Sequence, residues 1–205
     1  MINIKNLSFN YGKRHPLFES LSLNIPEGNI YGLLGKNGAG KTTLLKLISG
    51  LLFPKSGTIE AFGYIPMNRR PDFLSDICII PEELFVPKHV NGATYVKRYS
   101  VFYPKFDETQ FASHLKSFEI PMDKKLTDLS YGQKKKFLLC FGIACNTRLL
   151  ILDEPTNGLD IPSKSQFRSV LAGSMTDERT VIISTHQVRD MANLIDPIII
   201  LEDGE

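Results

Sequence analysis

Gly35-Lys36-Asn37-Gly38-Ala39-Gly40-Lys41-Thr42-Thr43 is the stretch from which the fold of this chain can be read. Residues 35–42 fit the pattern G-x-x-x-x-G-K-[ST], a loop that wraps phosphate groups. The flanks agree with it. Ile30-Tyr31-Gly32-Leu33-Leu34 ahead of the loop has the pattern of a buried strand, and Thr43-Leu44-Leu45-Lys46-Leu47-Ile48 behind it has that of a helix. Gly35, Gly38 and Gly40 allow a tight turn in which successive N–H groups face one anion. The helix N-terminus adds its partial positive charge. Lys41 is placed to reach the β- and γ-phosphates, and the Thr42 hydroxyl to ligate Mg²⁺. The stretch from Gly35 to Thr43, with Lys36, Asn37 and Ala39 in it, is therefore the expected cradle for a nucleoside triphosphate.

Leu149-Leu150-Ile151-Leu152-Asp153-Glu154 supplies the matching carboxylates. Four aliphatic residues in a row suit a central parallel strand covered on both faces. Asp153 then falls at the C-terminal end of that strand, where open sheets bind ligands, and is expected to help hold Mg²⁺. Glu154 is expected to orient and polarise the attacking water as general base.

Leu129-Ser130-Tyr131-Gly132-Gln133 lies between these two stretches. Ser130 precedes a helix-like run from Gln133 to Ala144 and is a good N-cap residue. A helix N-terminus with a free hydroxyl beside the small Gly132 makes a second anion site. Taken with residues 35–42 and 153–154, this segment resembles the signature of the ATP-binding cassette (ABC) family, usually Leu-Ser-Gly-Gly-Gln, from which Tyr131 departs. The resemblance orders six motifs between Tyr11 and His186. It implies an α/β fold: a P-loop NTPase (RecA-like) core with a small antiparallel β subdomain and an inserted α-helical subdomain. It implies that Tyr11 stacks on adenine and that His186, in Ser-Thr-His after Val181-Ile182-Ile183, contacts the γ-phosphate. It further implies that Ser130, Gly132 and Gln133 face the γ-phosphate held by another subunit, and that Gly158-Leu159-Asp160 crosses to that subunit. Two chains, as a homodimer or a heterodimer, would then enclose two ATP molecules.

Where the family usually has a glutamine that contacts Mg²⁺ and the attacking water, this chain has Glu82, in Ile79-Ile80-Pro81-Glu82. A carboxylate accepts hydrogen bonds and binds Mg²⁺ but cannot donate as an amide does. Glu82 is expected to occupy that position and transmit the nucleotide state. The resemblance to the exporter-like branch, where Pro-Glu occurs here, fits this assignment.

Residues 83–128 read as the helical insert between core segments 1–82 and 129–205 of a single domain. Tyr95, Tyr99, Phe102 and Tyr103 fall on one face of a helix. Asp107 followed by Gln110 resembles a capping box, and Phe111, Leu115 and Phe118 form a second stripe. Pro104 and Pro121 punctuate the two helices. The aromatic stripes are expected to pack internally, with a docking groove formed by Phe85 and Tyr99 or Tyr103 as the alternative. Lys134-Lys135-Lys136 is expected to be a solvated first turn. His15, His89 and His114 lack partners at ligand spacing and receive no role.

Bulk properties set limits. A net charge of +2 gives no reason to expect nucleic acid. No apolar run approaches a membrane span, and no signal-peptide pattern opens the chain. Cys78, Cys140 and Cys145 sit in apolar runs without C-x-x-C spacing and read as reduced, buried thiols of a cytosolic protein. Segments Ile2 to Phe9 and Leu21 to Ile25 alternate and look antiparallel, whereas the later strand–helix alternation looks parallel. The resemblance implies an ATPase at the cytoplasmic face of a membrane, working through a separately encoded transmembrane subunit. A soluble cassette acting on ribosomes or DNA is the alternative; such relatives carry paired cassettes or long insertions, and this chain has one cassette. The chain closes on Leu201-Glu202-Asp203-Gly204-Glu205, a strand entering an Asp-Gly turn, beyond which a further strand is expected.

Overall fold

Two kinds of hydrophobic pattern in this chain produce two kinds of sheet. A computed structural model describes residues 1–12, 15–187, 191 and 194–202, so the Asp203-Gly204 turn lies outside the described residues. The elements begin with strands β1 (Ile2–Phe9), β2 (Phe18–Ile25) and β3 (Ile30–Leu34), helix α1 (Lys41–Ile48) and strand β4 (Ser56–Ala61). The short helix α2 (Pro71–Ser75), strand β5 (Ile77–Ile80) and helices α3 (Gly92–Tyr99), α4 (Glu108–Ser117) and α5 (Tyr131–Ala144) follow. Strand β6 (Leu149–Asp153), helix α6 (Ile161–Gly173) and strands β7 (Thr180–Thr185) and β8 (Ile198–Ile200) complete the described fold. The alternating segments form an antiparallel sheet of order β2-β1-β4, and the aliphatic runs form a parallel sheet of order β5-β6-β7-β3-β8.

In β1 the inward residues are Ile2 and Ile4, then Leu7 and Phe9, so the alternation slips by one position. Asn6 absorbs the slip. Its φ is 50°, and the pairing with β2 shifts between Ile4 and Leu7. A bulge there returns both halves of the strand to the core face, which a uniform strand could not do.

Every residue of β6 and of β7 is buried, as a central parallel strand requires. Strand β7 lies between β3 and β6, pairing Leu34 with Thr185 on one side and Asp153 with Ser184 on the other. The C-terminal ends of these strands therefore open side by side, and the phosphate loop, the acidic pair and the Ser-Thr-His segment meet there. Sheet order alone brings together residues more than a hundred positions apart in sequence.

Helix α5 is apolar almost all round and is sunk into the core. Phe137 and Phe141 form the centre of an aromatic cluster with Tyr95 and Phe111. The aromatic stripes thus pack internally, with one correction. The helix carrying Tyr95 ends at Tyr99, and Ser100–Phe102 form a 3-10 turn. Tyr103 precedes Pro104, which disfavours helical geometry, and it is extended at φ −122° and ψ 92°. Tyr103 still reaches Phe141, at 5.9 Å between ring centroids, while Phe102 is 64% exposed.

The capping box at Asp107 is only half formed. Asp107 accepts from the Gln110 N–H at 2.9 Å, but the Gln110 side-chain oxygen accepts instead from Asn146 Nδ2 at 3.2 Å. The Asp107 N–H donates to the Ala144 carbonyl at 2.9 Å. Tertiary bonds to the end of α5 replace the reciprocal local one, tying α4 to α5. Cys78, Cys140 and Cys145 are buried free thiols, as expected.

Candidate functional site

The loop after β3 reaches α1 through Gly38 at φ 86° and Gly40 at φ 102°, both in the left-handed region that glycine tolerates. At Gly40 a side chain would also strike the Phe18 ring, since a Cβ would lie 2.7 Å from it. Lys41 is buried at the first position of α1, and its Nζ donates to the Gly35 carbonyl at 2.8 Å and the Lys36 carbonyl at 3.1 Å. The ammonium is thus held at the centre of its own loop.

Across the sheet, the Thr42 hydroxyl donates to Asp153 Oδ2 at 2.7 Å. The other Asp153 oxygen accepts from the Ser184 hydroxyl. Glu154, 5% exposed, turns into the left-handed region at φ 46°. Its N–H donates to both the carbonyl and the hydroxyl oxygen of Ser184, each at 3.1 Å. Glu154 Oε1 lies 2.8 Å from His186 Nδ1, whereas Oε2 is buried with no partner among the described residues. A buried carboxylate oxygen without a donor is costly unless something else bonds to it.

Gly38, Gly40, Lys41, Thr42, Asp153 and Glu154 border a cavity of about 460 Å³ that also takes in Tyr11, Asn37, Thr43 and Glu82, while His186 reaches it only through its contact with Glu154. That volume is within the range of small-molecule sites. Tyr11 stands at its mouth, its hydroxyl 3.0 Å from Thr43 Oγ1 and its ring edge-on to Phe9. Glu82 projects into the same space, with Oε1 accepting from Asn157 Nδ2 at 3.0 Å. Lys36 and Ala39 face an adjoining cavity on the outer side of the loop, with Leu201 and Glu202.

Ser130, Gly132, Gln133 and Asp160 are not part of this cavity wall. Ser130 and Gln133 complete a full capping box on α5: Ser130 Oγ accepts from the Gln133 N–H at 3.2 Å, and Gln133 Oε1 accepts from the Ser130 N–H at 3.0 Å. Asp160 caps α6 by accepting from the Ser163 N–H at 2.8 Å, and its hydrogen bonds with Ser163 hold its carboxyl below the ordinary carboxylate range. Tyr131 does not project over the helix terminus. Its hydroxyl donates to the Glu82 carbonyl at 3.1 Å and its ring lies on Gly158, where a Cβ would come within 2.7 Å of it.

Two side chains at the site escaped sequence reasoning. Ser184 anchors both acids, and its only signal was its place one residue before Thr185-His186 on a buried strand. Lys135 is not a solvated lysine: it is 0% exposed, and its Nζ donates to the Glu154 carbonyl at 2.5 Å. Its helical spacing to Leu139 and Gly142, both buried, was the available signal.

Comparison with known proteins agrees with this geometry. A family model described as ABC transporter matches residues 18–157. The ABC transporter ATP-binding protein YtrB of Bacillus subtilis is 34% identical over 209 residues, covering 100% of this chain and 70% of YtrB. The lantibiotic transport ATP-binding protein SrtF of Streptococcus pyogenes is 32% identical over 206 residues, covering 100% of this chain and 88% of SrtF. Among solved structures, a putative ABC transporter ATP-binding protein from Pyrococcus furiosus superposes with a TM-score of 0.80 at 30% identity, over 98% of this chain and 96% of that one.

Proposed function

The chain belongs to the ABC transporter family, and from that membership we propose that it works as one of two cassettes that close over two ATP molecules beneath a separately encoded membrane subunit. It is an ATP-binding and ATP-hydrolysing subunit. The observation that carries the finer reading is how its phosphate-binding, metal-binding and water-activating groups are divided. Lys41, Thr42, Asp153 and Glu154 converge on one cavity, while the capped N-terminus of α5 stands outside it. A helix N-terminus displaying Ser130 and Gly132 to solvent complements the γ-phosphate of a facing copy. Each closed site then draws the phosphate loop from one chain and Ser130, Gly132 and Gln133 from the other, with Asp160 at the crossing.

In this reading the loop N–H groups and Lys41 hold the phosphates, and Tyr11 packs on adenine at the cavity mouth. Glu154 accepts the proton of the attacking water at Oε2, the oxygen that no described residue bonds. His186, fixed through Nδ1 to Glu154 Oε1, aligns the γ-phosphate side. The Thr42 hydroxyl and the Asp153 carboxylate form a hard-oxygen pair of the kind Mg²⁺ takes, with Glu82 across the cavity. Bound there with ATP, the ion would offset charge on the phosphates. Because a dissociative transfer needs little covalent help, positioning and charge account for most of the catalysis.

Residues 83–128 act as the helical insert on a core of 1–82 and 129–205. No helix among the described residues is long and apolar enough to cross a membrane. An open groove lined by Leu51, Leu74, Ile79, Tyr99, Val101 and Phe102 supports docking of a helix from the membrane subunit, at the cytoplasmic face. Of the residues that the sequence assigned to a docking groove, Tyr99 and Tyr103 border this one, whereas Phe85, 86% exposed, does not.

Glu154→Gln tests the reading. With ATP the variant should bind nucleotide, stop turning over and elute as a dimer, and in mild detergent it should bring down a polytopic membrane protein. Turnover at the wild-type rate would overturn the role of Glu154; recovery of ribosomes or DNA with no membrane protein would overturn the transport role.

A further inference from the structure

Lys134, Lys135 and Lys136 are adjacent in sequence, yet they do not share an environment. Lys134 and Lys136 are half-buried at the surface, whereas Lys135 is enclosed. The Lys135 ammonium lies 5.7 Å from the ring of Tyr131, one helical turn earlier. Burial pulls the Lys135 pKa down, and the charges of Glu82, Glu154 and Asp153 push it back up. An enclosed ammonium is costly unless it is paired and hydrogen-bonded. Here the compensating groups belong to the hydrolysis site.

The geometry explains what such a cation can do. Glu154 adopts φ 46°, a conformation that a side chain other than glycine rarely takes. Its N–H is fixed by Ser184 and its carbonyl by Lys135, so both peptide planes around the residue are pinned. With the backbone pinned and Oε1 on His186, the direction of Oε2 is set. Charge points the same way. Glu82, Asp153 and Glu154 border one cavity, and like charges so gathered repel. Lys41 lies on the phosphate side, bonded to its own loop, whereas Lys135 lies behind the acids. Tyr131 joins the arrangement from outside by donating to the Glu82 carbonyl.

We propose that Lys135 is a positioning residue for ATP hydrolysis: its buried ammonium pins the Glu154 backbone in the left-handed conformation and balances the carboxylate that Glu82 brings to the site. The inference rests on Glu154 being the hydrolytic base. Lys135 touches no phosphate. It acts through Glu154, so its loss slows the chemical step and spares nucleotide binding.

The test uses the full chain, with steady-state ATPase kinetics and equilibrium binding of a fluorescent N-methylanthraniloyl ATP. Lys135→Met, which removes both charge and donor, should lower kcat by roughly tenfold to a hundredfold with KM and analogue affinity close to wild type. Lys135→Gln keeps a donor for the carbonyl and should lose less, and it decides the matter if the methionine variant does not fold. Adding Glu82→Gln to Lys135→Gln should restore part of kcat, because both charges are then removed together. A Lys135→Gln kcat equal to wild type overturns the inference. So does a loss of analogue affinity in step with kcat, which would mark a merely structural role. If Glu154→Gln itself turns over ATP at the wild-type rate, the base assignment has failed and the inference goes with it; an inactive Glu154→Gln beside a fully active Lys135→Gln removes the inference alone.

Discussion

Replacing Ser184 with Ala should uncouple the two acids of the site from the strand that holds them. The Ser184 hydroxyl donates to Asp153 Oδ1 and accepts from the Glu154 N–H, and the residue is completely buried. The Glu154 N–H keeps the Ser184 carbonyl as an acceptor, so that half of the loss is small. Asp153, 3% exposed, loses one of its two hydroxyl donors and keeps Thr42. A hydrogen bond to a buried charged group contributes about 1.5–3 kcal/mol, so a stability loss of about 2 kcal/mol is expected. For a domain of this size that corresponds to a fall in Tm of roughly 4–8 °C. The functional effect should be larger than the stability effect suggests. Asp153 would keep Thr42 but lose the hydroxyl that fixes its other oxygen, and loss of a group that orients a metal ligand costs about 10–100-fold in metal affinity or activity. Thermal unfolding without nucleotide gives the first number, and the Mg²⁺ concentration for half-maximal ATPase rate gives the second. An unchanged Mg²⁺ requirement in a folded Ser184→Ala protein would refute the reasoning that Asp153 and Thr42 form the cation site.

Gly158→Ala meets two obstacles, a φ of +78° and a Cβ 2.7 Å from the Tyr131 ring; it should cost about 1–3 kcal/mol, and Tyr131→Ala in the same chain should relieve the steric part but not the backbone part, as a double-mutant cycle in urea would show. Strict additivity would mean that the ring does not press on the loop. Glu82→Ala should leave ATP affinity within about threefold of wild type and lower the hydrolysis stimulated by the proposed membrane subunit; unchanged stimulation would remove Glu82 from the transmission path. A pH test concerns Glu27, whose carboxyl is held below its ordinary value of 4.5 by the N-terminal ammonium and by Arg148 Nη2 at 2.7 Å. A depressed carboxyl contributes stability above its unfolded value that is lost as pH falls through the folded one. Glu27→Gln should therefore lower Tm at neutral pH and converge with wild type in acid below that range; a constant offset across the titration would contradict the pairing.

Much of the site was legible because its parts are local. The loop from Gly35 to Thr42 is specified by glycines where the backbone must turn left-handed and by the strand and helix on either side. The acidic pair was visible as the end of an aliphatic run, since only a strand covered on both faces needs four such residues together. Ser130 and Gln133 form the full capping box because both partners lie within one turn. Asp107 and Gln110 carry a similar signal and form only half of one. Asn146 and the Ala144 carbonyl, from the far end of α5, offered competing bonds that no local pattern contains.

The sequence by itself determined the strand and helix on either side of the phosphate loop, the capped helix after Ser130, and that Asp153 and Glu154 end a central strand, because each depends on periodicity and hydrogen bonds within a few residues. The tertiary structure decided what those segments meet. Interposing β7 between β3 and β6 brought Ser184 against both acids and Thr42 against Asp153. Seating α5 against β5 and the loop after β6 enclosed the middle one of three successive lysines and turned it onto Glu154. Folding the 131–133 turn onto the 82 and 158 loops gave Tyr131 its partners. A single chain records its own helical and strand periods, but the order of strands in a sheet is settled by how all the buried faces pack at once.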